Sequence, residues 1–257
     1  MKLAHWISFW ICIFSLGLGF SSQARVFNVK DERFAAYLRG SYAPTVFENT
    51  LNSGSHGANS TLDSKSAYNL SAEFGFIYSL ENMGFRFGLE VIRPPDKKNE
   101  TGTNAGGTPL YSLTSEISAV VPKLGMDFNL KRWNITKLYM GIALGYASLA
   151  ARNSYTMTAA GTAQYPGVTD FDEDLRSGAP LYEGLLGYEA LFNDTTTVAV
   201  EAVYRSLIFK DAKHNKAGTN FHGAFAKGDG ALNDDGSART LNLSQFYIGI
   251  NGRFWIY

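Results

Sequence analysis

The sequence predicts an all-β protein: an eight-stranded antiparallel transmembrane β-barrel with short periplasmic turns and four long extracellular loops. Three observations carry this expectation. Eight segments alternate apolar and polar residues with a period of two, which in a strand sorts the two sets onto opposite faces. The links joining them are alternately short and long, as expected when turns lie at one membrane face and loops at the other. Finally, one face is almost free of charge while the other carries arginine, glutamate and glycine. Lipid outside and polar groups inside would produce that division.

The front end reads as a secretion signal. Lys2 supplies a positive start, residues 6–20 form an uninterrupted run of apolar and small residues, and Ser22-Gln23-Ala24 has the small-x-small form of a cleavage site. Two regions are expected: a signal peptide over 1–24 and the barrel over 25–257. A retained membrane anchor is disfavoured, since no basic stop-transfer cluster follows the run. Cys12 is the only cysteine and falls inside the signal, so the mature chain would have no disulfide, no thiol nucleophile and no cysteine-based zinc site. The 23 basic and 23 acidic residues balance, and no basic stripe invites nucleic acid. After the signal, no segment approaches the roughly 20 apolar residues of a membrane helix.

Taken in order, residues 33–43 put Phe34, Ala36, Leu38, Gly40 and Tyr42 on one face. Residues 67–80 give the clearest pattern, with Tyr68, Leu70, Ala72, Phe74, Phe76 and Tyr78 on the apolar parity and Asn69, Ser71, Glu73, Gly75 and Ser79 among the other set. Residues 84–93 follow a tight link and place Phe85, Phe87, Leu89 and Val91 outward. The fourth strand, 110–130, changes parity. Ile117, Ala119 and Val121 are expected to face out before Pro122, and Leu124, Met126, Phe128 and Leu130 after it, a shift that a β-bulge at the proline would produce. Strands at 137–149, 179–192, 196–208 and 241–256 complete the set, the last with Phe246, Ile248, Ile250, Phe254 and Ile256 outward.

The long links cover 44–66, 94–109, 150–178 and 210–240 and are rich in Gly, Asn, Thr and Asp. Both termini then lie with the short turns on the periplasmic side, and the loops lie outside the cell. Tyr42, Tyr68, Tyr111, Tyr146, Tyr182 and Tyr204 all fall at strand ends next to long loops. They are expected to form an outer aromatic girdle, with rings in lipid and hydroxyls among headgroups.

A soluble barrel of the lipocalin kind would alternate too, with its apolar face turned inward. The polar face argues against it. Arg39, Glu73, Arg86, Glu90, Glu116, Glu183, Glu189, Glu201, Arg205 and Arg253 lie on it with hardly any lysine. Arginine suits charges paired away from bulk water, because its fork grips carboxylate bidentately. Gly75, Gly88, Gly141, Gly145, Gly187 and Gly249 share that face, as a narrow crowded interior requires. These charges are expected to pair as a lumen network and fill a barrel too narrow for an open channel. A selectivity ring around a water path is the alternative.

Tyr37-Leu38-Arg39-Gly40-Ser41-Tyr42-Ala43-Pro44, Leu138-Tyr139-Met140-Gly141-Ile142-Ala143-Leu144-Gly145 and the closing Phe246–Phe254 stretch resemble strands of the major surface protein (surface antigen) family. Similar stretches occur in Opa-like and OmpA-like eight-stranded barrels. The resemblance implies an outer-membrane location and a surface-antigen or adhesin role. One departure concerns the end of the chain. Such barrels usually close on an outward aromatic, whereas here Trp255 and Tyr257 fall on the inward parity, so a bulge near Gly252 or a signal read one residue earlier is expected.

Catalytic chemistry is weakly signalled. His56, His214 and His222 lie in long links, and His56 with Ser53 or Ser60 and Asp63 could form a triad resembling a lipid A acyltransferase. Solvated loop residues explain them equally well, and no rigid element fixes the geometry. A protease of the omptin kind would need ten strands. The acidic runs at 170–174 and 234–235 lack calcium-loop spacing. The expectation is therefore a non-enzyme without metal or cofactor, presenting its loops on a rigid scaffold; a small passive porin is the alternative. Expected partners are outer-membrane lipid, the barrel-assembly machinery and host or cell-surface ligands of the loops. Phe171, Phe221, Phe225 and Tyr165 are the loop aromatics available for such contacts.

Overall fold

A strand in hydrocarbon must pair along both edges, because no water is present to satisfy its backbone. A computed structural model, which describes residues 28, 31–43, 54–56, 60–62, 68–233 and 236–256 (side chains of 54–56, 60–62 and Lys97 excepted), meets this condition for eight long strands. They are β1 (Phe34–Ala43), β2 (Asn69–Ser79), β3 (Met83–Arg93), β4 (Pro109–Arg132), β5 (Thr136–Met157), β6 (Phe171–Asn193), β7 (Thr196–Phe209) and β8 (Gln245–Ile256). Each is antiparallel to the next. β1 also pairs with β8, from Phe34 opposite Ile256 to Tyr42 opposite Ile248. The sheet is therefore a closed ring with no free edge at membrane depth.

The outside of this ring is apolar. Phe74, Phe87, Leu124, Ile142, Leu144, Leu186, Val200, Phe246 and Ile248 are all exposed large hydrophobics. The inside is crowded, and two tyrosines show how tightly. The ring of Tyr139 lies where a Cβ on Gly187 would stand, and the Tyr37 hydroxyl occupies the corresponding place at Gly88. Those two positions need glycine because an aromatic side chain from another strand passes directly over them.

The strands are unequal in length. β1, β2 and β3 have 10, 11 and 11 residues, which suffices to cross a bilayer with tilt. β4, β5 and β6 have 24, 22 and 23, about twice what the bilayer needs. The excess rises beyond the outer membrane face as a three-stranded tower. The link expected over 150–178 is thus mostly sheet, and only 158–170 is a connection, carrying the short helix α1 (Ala159–Gln164) capped by Thr158. Residues 97–103 form a further strand along β4, joined through Thr61 and Thr103 to the hairpin 54–56/60–62.

In the tower the alternation persists but its chemistry inverts. On β5 the outward set runs Leu138, Met140, Ile142, Leu144, Tyr146 and then Ser148, Ala150, Arg152, Ser154, Thr156, while inward Ala147, Leu149, Ala151 and Tyr155 are buried. Above the lipid, water bathes the outside and the apolar residues move to the inside. This corrects the reading of the fourth strand. Ile117, Ala119 and Val121 face inward and are buried, and the pairing with β3 and β5 keeps one register through Pro122. The apolar set changes sides there without any bulge; the one irregularity between β4 and β5 lies lower, between Asn129 and Lys131.

The end of the chain is also regular. The registers of β8 with β1 and β7 run unbroken past Gly252, and Trp255 points inward, 3 % exposed, its indole N–H donating to Thr197 Oγ1 at 2.9 Å. Tyr257 and the signal region 1–24 lie outside the described residues.

A Gly187→Val substitution should prevent closure, because the branched side chain overlaps Tyr139, whereas Gly184→Val, at an outward position with open space, should fold. The check is migration on a denaturing gel with and without boiling. Gly184→Val and the native chain should show a heat-dependent shift, and Gly187→Val should show none.

Candidate functional site

Every strand sends a polar group into the lumen at membrane depth. The cations are Arg39 from β1, Arg86 from β3, Lys123 from β4, Lys137 from β5, Arg205 from β7 and Arg253 from β8; the carboxylates are Glu73 from β2, Glu90 from β3, Asp127 from β4, Glu183 and Glu189 from β6 and Glu201 from β7. None is more than 5 % exposed. Six positive charges face six negative ones, so the buried set is neutral.

Glu201 is one centre. It accepts from Arg39 at 3.1 Å, Arg86 at 2.9 Å, Arg253 at 3.1 Å, the Tyr139 hydroxyl at 2.7 Å and Asn251 at 3.2 Å. Glu183 is the other. It accepts from Lys123 at 2.9 Å, from Arg205 Nε at 2.9 Å and Nη2 at 2.8 Å, and from the Tyr247 hydroxyl at 2.8 Å. Glu90 pairs with Arg205 and with Lys123 at 2.9 Å; Glu73 pairs with Arg39 and with Lys123 at 2.5 Å. Nearer the periplasm, Glu189 holds Arg253 at 2.6 Å and Lys137 at 3.1 Å. Glu73, Glu90 and Glu183 converge closely enough to suggest a metal site, but the Lys123 ammonium already sits within 2.9 Å of all three. A cation is supplied by the chain itself.

An apolar layer closes the lumen above the charges. Val121, Ala147, Leu149, Leu181, Leu207 and Ile92 from the strands pack with Ala212, Ala231, Leu241 and Leu243 from the segment after β7, which folds back into the barrel mouth. That segment is latched by Arg239, whose guanidinium grips the Glu173 carboxylate with two N–H groups while Nε donates to the Leu232 carbonyl at 2.9 Å. Both residues are fully buried. Above them Tyr111, Tyr155, Tyr165, Phe171 and Phe221 pack ring against ring, with centroids 4.4 to 5.5 Å apart.

Two of the residues singled out from sequence lie elsewhere. Glu116 sits on the outward face of the tower, opposite Arg152 and away from the lumen. Tyr111 is 1 % exposed in the aromatic cluster, so it is no member of a girdle, whereas Tyr42, Tyr68, Tyr146, Tyr182 and Tyr204 all face outward. Both misplacements come from the inversion above the membrane. Phe171, Phe221 and Tyr165 are packing residues of the tower, and Phe225 stacks on His214 at 3.7 Å. Sequence reasoning missed Lys123, Asp127 and Lys137. The first two share the inward parity with Gly125 and Lys137 alternates with outward Leu138, so the period-two pattern already carried the signal.

Among the described residues, His214 and His222 are placed in structural contacts. His222 Nε2 lies 2.7 Å from the Asn233 carbonyl, and His214 is buried in the latch segment. The side chains of His56, Ser53, Ser60 and Asp63 lie outside the described residues, as do Asp234 and Asp235. The run 170–174 does not converge on one point either: Glu173 turns inward to Arg239 while Asp174 faces Lys216 on the outside at 3.4 Å.

No protein-family profile and no curated protein sequence matches the chain. Solved structures similar to it include Neisserial surface protein A, at 9 % identity over 87 % of this chain and 97 % of that one with a TM-score of 0.44. The outer membrane protein OprG from Pseudomonas aeruginosa is similar at 14 % identity, covering 88 % and 98 % of the two chains with a TM-score of 0.43. A major outer membrane protein from Thermus thermophilus is similar at 9 % identity, covering 86 % and 99 % with a TM-score of 0.48. These are likenesses of fold; the closed ring of eight antiparallel strands and its apolar exterior are features of the chain itself.

Two outcomes are expected. Glu201→Gln leaves three buried arginines without their shared carboxylate, and unpairing a buried charge destabilises by about 3–5 kcal/mol; Glu116→Gln on the exposed tower should stay within about 0.5 kcal/mol. Urea unfolding of the two variants in vesicles measures the contrast. The second concerns pH. Burial holds the His214 imidazole below its ordinary value, Arg239 acts in the same sense, and Glu173 and Asp229 oppose. Its contribution to the folded segment is thus complete above the ordinary histidine range and is lost as pH falls through that range towards the depressed value. Protection of the 210–233 amides, taken as exchange relative to the intrinsic rate at each pH, should fall between pH 7.5 and pH 5, and His214→Phe should flatten that response.

Proposed function

We propose that this protein is a non-conducting, non-enzymatic outer-membrane scaffold that presents its extracellular tower and loops to ligands on other surfaces, in the manner of a surface antigen or adhesin. It would reach that membrane behind a cleaved signal over residues 1–24. The observation that carries this reading is the filled lumen. A solute entering from the periplasm meets a neutral ion-pair network drawn from all eight strands, and beyond it an apolar layer that includes Leu181, Leu207 and Leu243. Neither tier offers a continuous polar path, and removing one partner from such a network is strongly unfavourable.

The exterior supports the same reading. The tower is a rigid sheet braced by buried aromatics and by the Arg239–Glu173 pair, and loops held on a rigid scaffold are the usual site of recognition. The passive-pore alternative needs the network to open.

Single-channel recording in a planar bilayer separates the two. The folded protein should be silent, and so should Arg239→Ala, because the charged tier remains beneath the latch. Steady openings in the native chain that shift on neutralising Arg39 or Glu73 would overturn the scaffold reading and make the lumen a transport path.

A further inference from the structure

We propose that the outward face of β6, β7 and β8 holds one phosphate-bearing lipid of the outer leaflet, with its acyl chains in an apolar groove and its phosphate on a cation patch directly above.

The groove follows from side-chain size along the strands. Tyr204 of β7 stands opposite Gly184 of β6 on one side and Phe246 of β8 on the other, and Ala202 stands opposite Ile248. Nothing lies within 4 Å of a Cβ added at Gly184 or at Gly40, on the far side of β8. Small residues form the floor, and Tyr204 with Phe246, ring centroids 4.7 Å apart, forms a wall. The concavity is open and measures about 1220 Å³ as it runs on past β8 to Gly40 and Tyr42 of β1 and Leu70 of β2. Tyr204, Phe246 and Ile248 are exposed on the lipid side, so the groove opens to acyl chains.

The patch is an independent observation on the same strands. The outward row above Ile208 and Pro180 continues with Lys210, Arg176 and Lys213. Lys213 is paired directly opposite Arg176, and like charges in that relation repel. Several other cations of the outer surface come with carboxylates: Arg93 with Asp96 at 3.2 Å, Lys216 with Asp174 at 3.4 Å, and Arg152 between Glu116 and Asp174 in the register. Among the described residues Arg176, Lys210 and Lys213 form no ion pair; Asp211 lies next to Lys210, Asp229 lies beside the Gly230 partner of Lys213, and Asp174, two residues before Arg176, is held by Lys216. An anion relieves this excess.

The spacing fits a lipid. At a strand rise of about 3.3 Å per residue and a tilt of about 40°, Lys210 stands about 15 Å above Tyr204 along the membrane normal. Lys210 is the lowest of the three, with Arg176 and Lys213 about 5 Å higher by the register. Long basic side chains bend back toward an interface, so Lys210 reaches the phosphate first and the other two meet the outer part of the headgroup.

The proposal rests on the membrane reading of the apolar face and is tested with the full protein in phosphatidylcholine nanodiscs containing a small fraction of bis-phosphorylated lipid A. Native mass spectrometry should show one retained lipid A. The triple variant Arg176→Ala, Lys210→Ala, Lys213→Ala should lower retention at least tenfold. Gly184→Leu, which fills the groove and leaves the cations intact, should do the same, and dephosphorylated lipid should not be retained. Retention equal in the native chain and the triple variant would overturn the proposal. So would displacement by inorganic phosphate with no effect of Gly184→Leu, which is the behaviour of a simple ion site, or a dimer in place of bound lipid. A heat-dependent gel shift for each variant confirms a folded barrel; a native chain that folds but stays out of nanodiscs overturns the membrane reading itself.

Discussion

Charge compensation inside a narrow cylinder underlies everything else in this molecule. Closing eight strands leaves a lumen only about as wide as the side chains that fill it, so any charge placed there loses its water. Isolated, such a charge is costly by several kcal/mol. Twelve of them are tolerable because they are equal in sign count and interleaved: Glu201 among three arginines, Lys123 among three glutamates. Tyr37, Tyr139 and Tyr247 add hydroxyl donors to the carboxylates. Because the partners come from every strand, the network is complete only when the ring is closed. It favours the correct strand order as well as the folded state, since a misplaced strand would leave charges unmatched.

The solvent around the barrel sets a second constraint, and it changes along the strand axis. Where lipid surrounds the strands, apolar residues turn outward and polar ones inward. Where water surrounds β4, β5 and β6, the same alternation carries the opposite chemistry. Val120 and Leu124 are exposed to the outside while Val121 and Ile117 are buried within, all on one uninterrupted strand. The tower is built like a soluble sheet domain standing on a membrane barrel, with an apolar core of its own and the Arg239–Glu173 pair buried against it. The boundary falls at Tyr146 and Tyr182, whose rings lie at the last apolar positions of their strands.

These two constraints divide the molecule by function. The interior is committed to holding the ring closed, and each of its charged side chains at membrane depth is used in an ion pair. The outer surface is where variation is free: polar faces on the tower, and on one flank a row of unpaired cations above a shallow apolar groove. In the proposed scaffold role, recognition falls to the exterior, toward the extracellular side and toward the lipid around it.

Strand count, antiparallel order, the end at which the turns lie, and the inward placement of Arg39, Glu73, Arg86, Glu90, Glu183, Glu189, Glu201, Arg205 and Arg253 were all legible in the sequence. They follow from period-two alternation within single strands and from link lengths, which are local properties of the chain. Other features exist only in the closed barrel. The inward facing of Ile117, the outward facing of Glu116 and the burial of Tyr111 depend on where the lipid ends, and alternation does not encode that depth. Lys123, Asp127 and Lys137 lie on the inward parity beside outward Leu124, Met126 and Leu138, so their place in the lumen was open to the same local reading, although lysine is the less expected cation there. The latch of Arg239 on Glu173, 66 residues apart, joins a loop to a strand, and no local period links them. Local pattern specifies which side a residue takes; only the closed barrel in its two solvents specifies what that side meets.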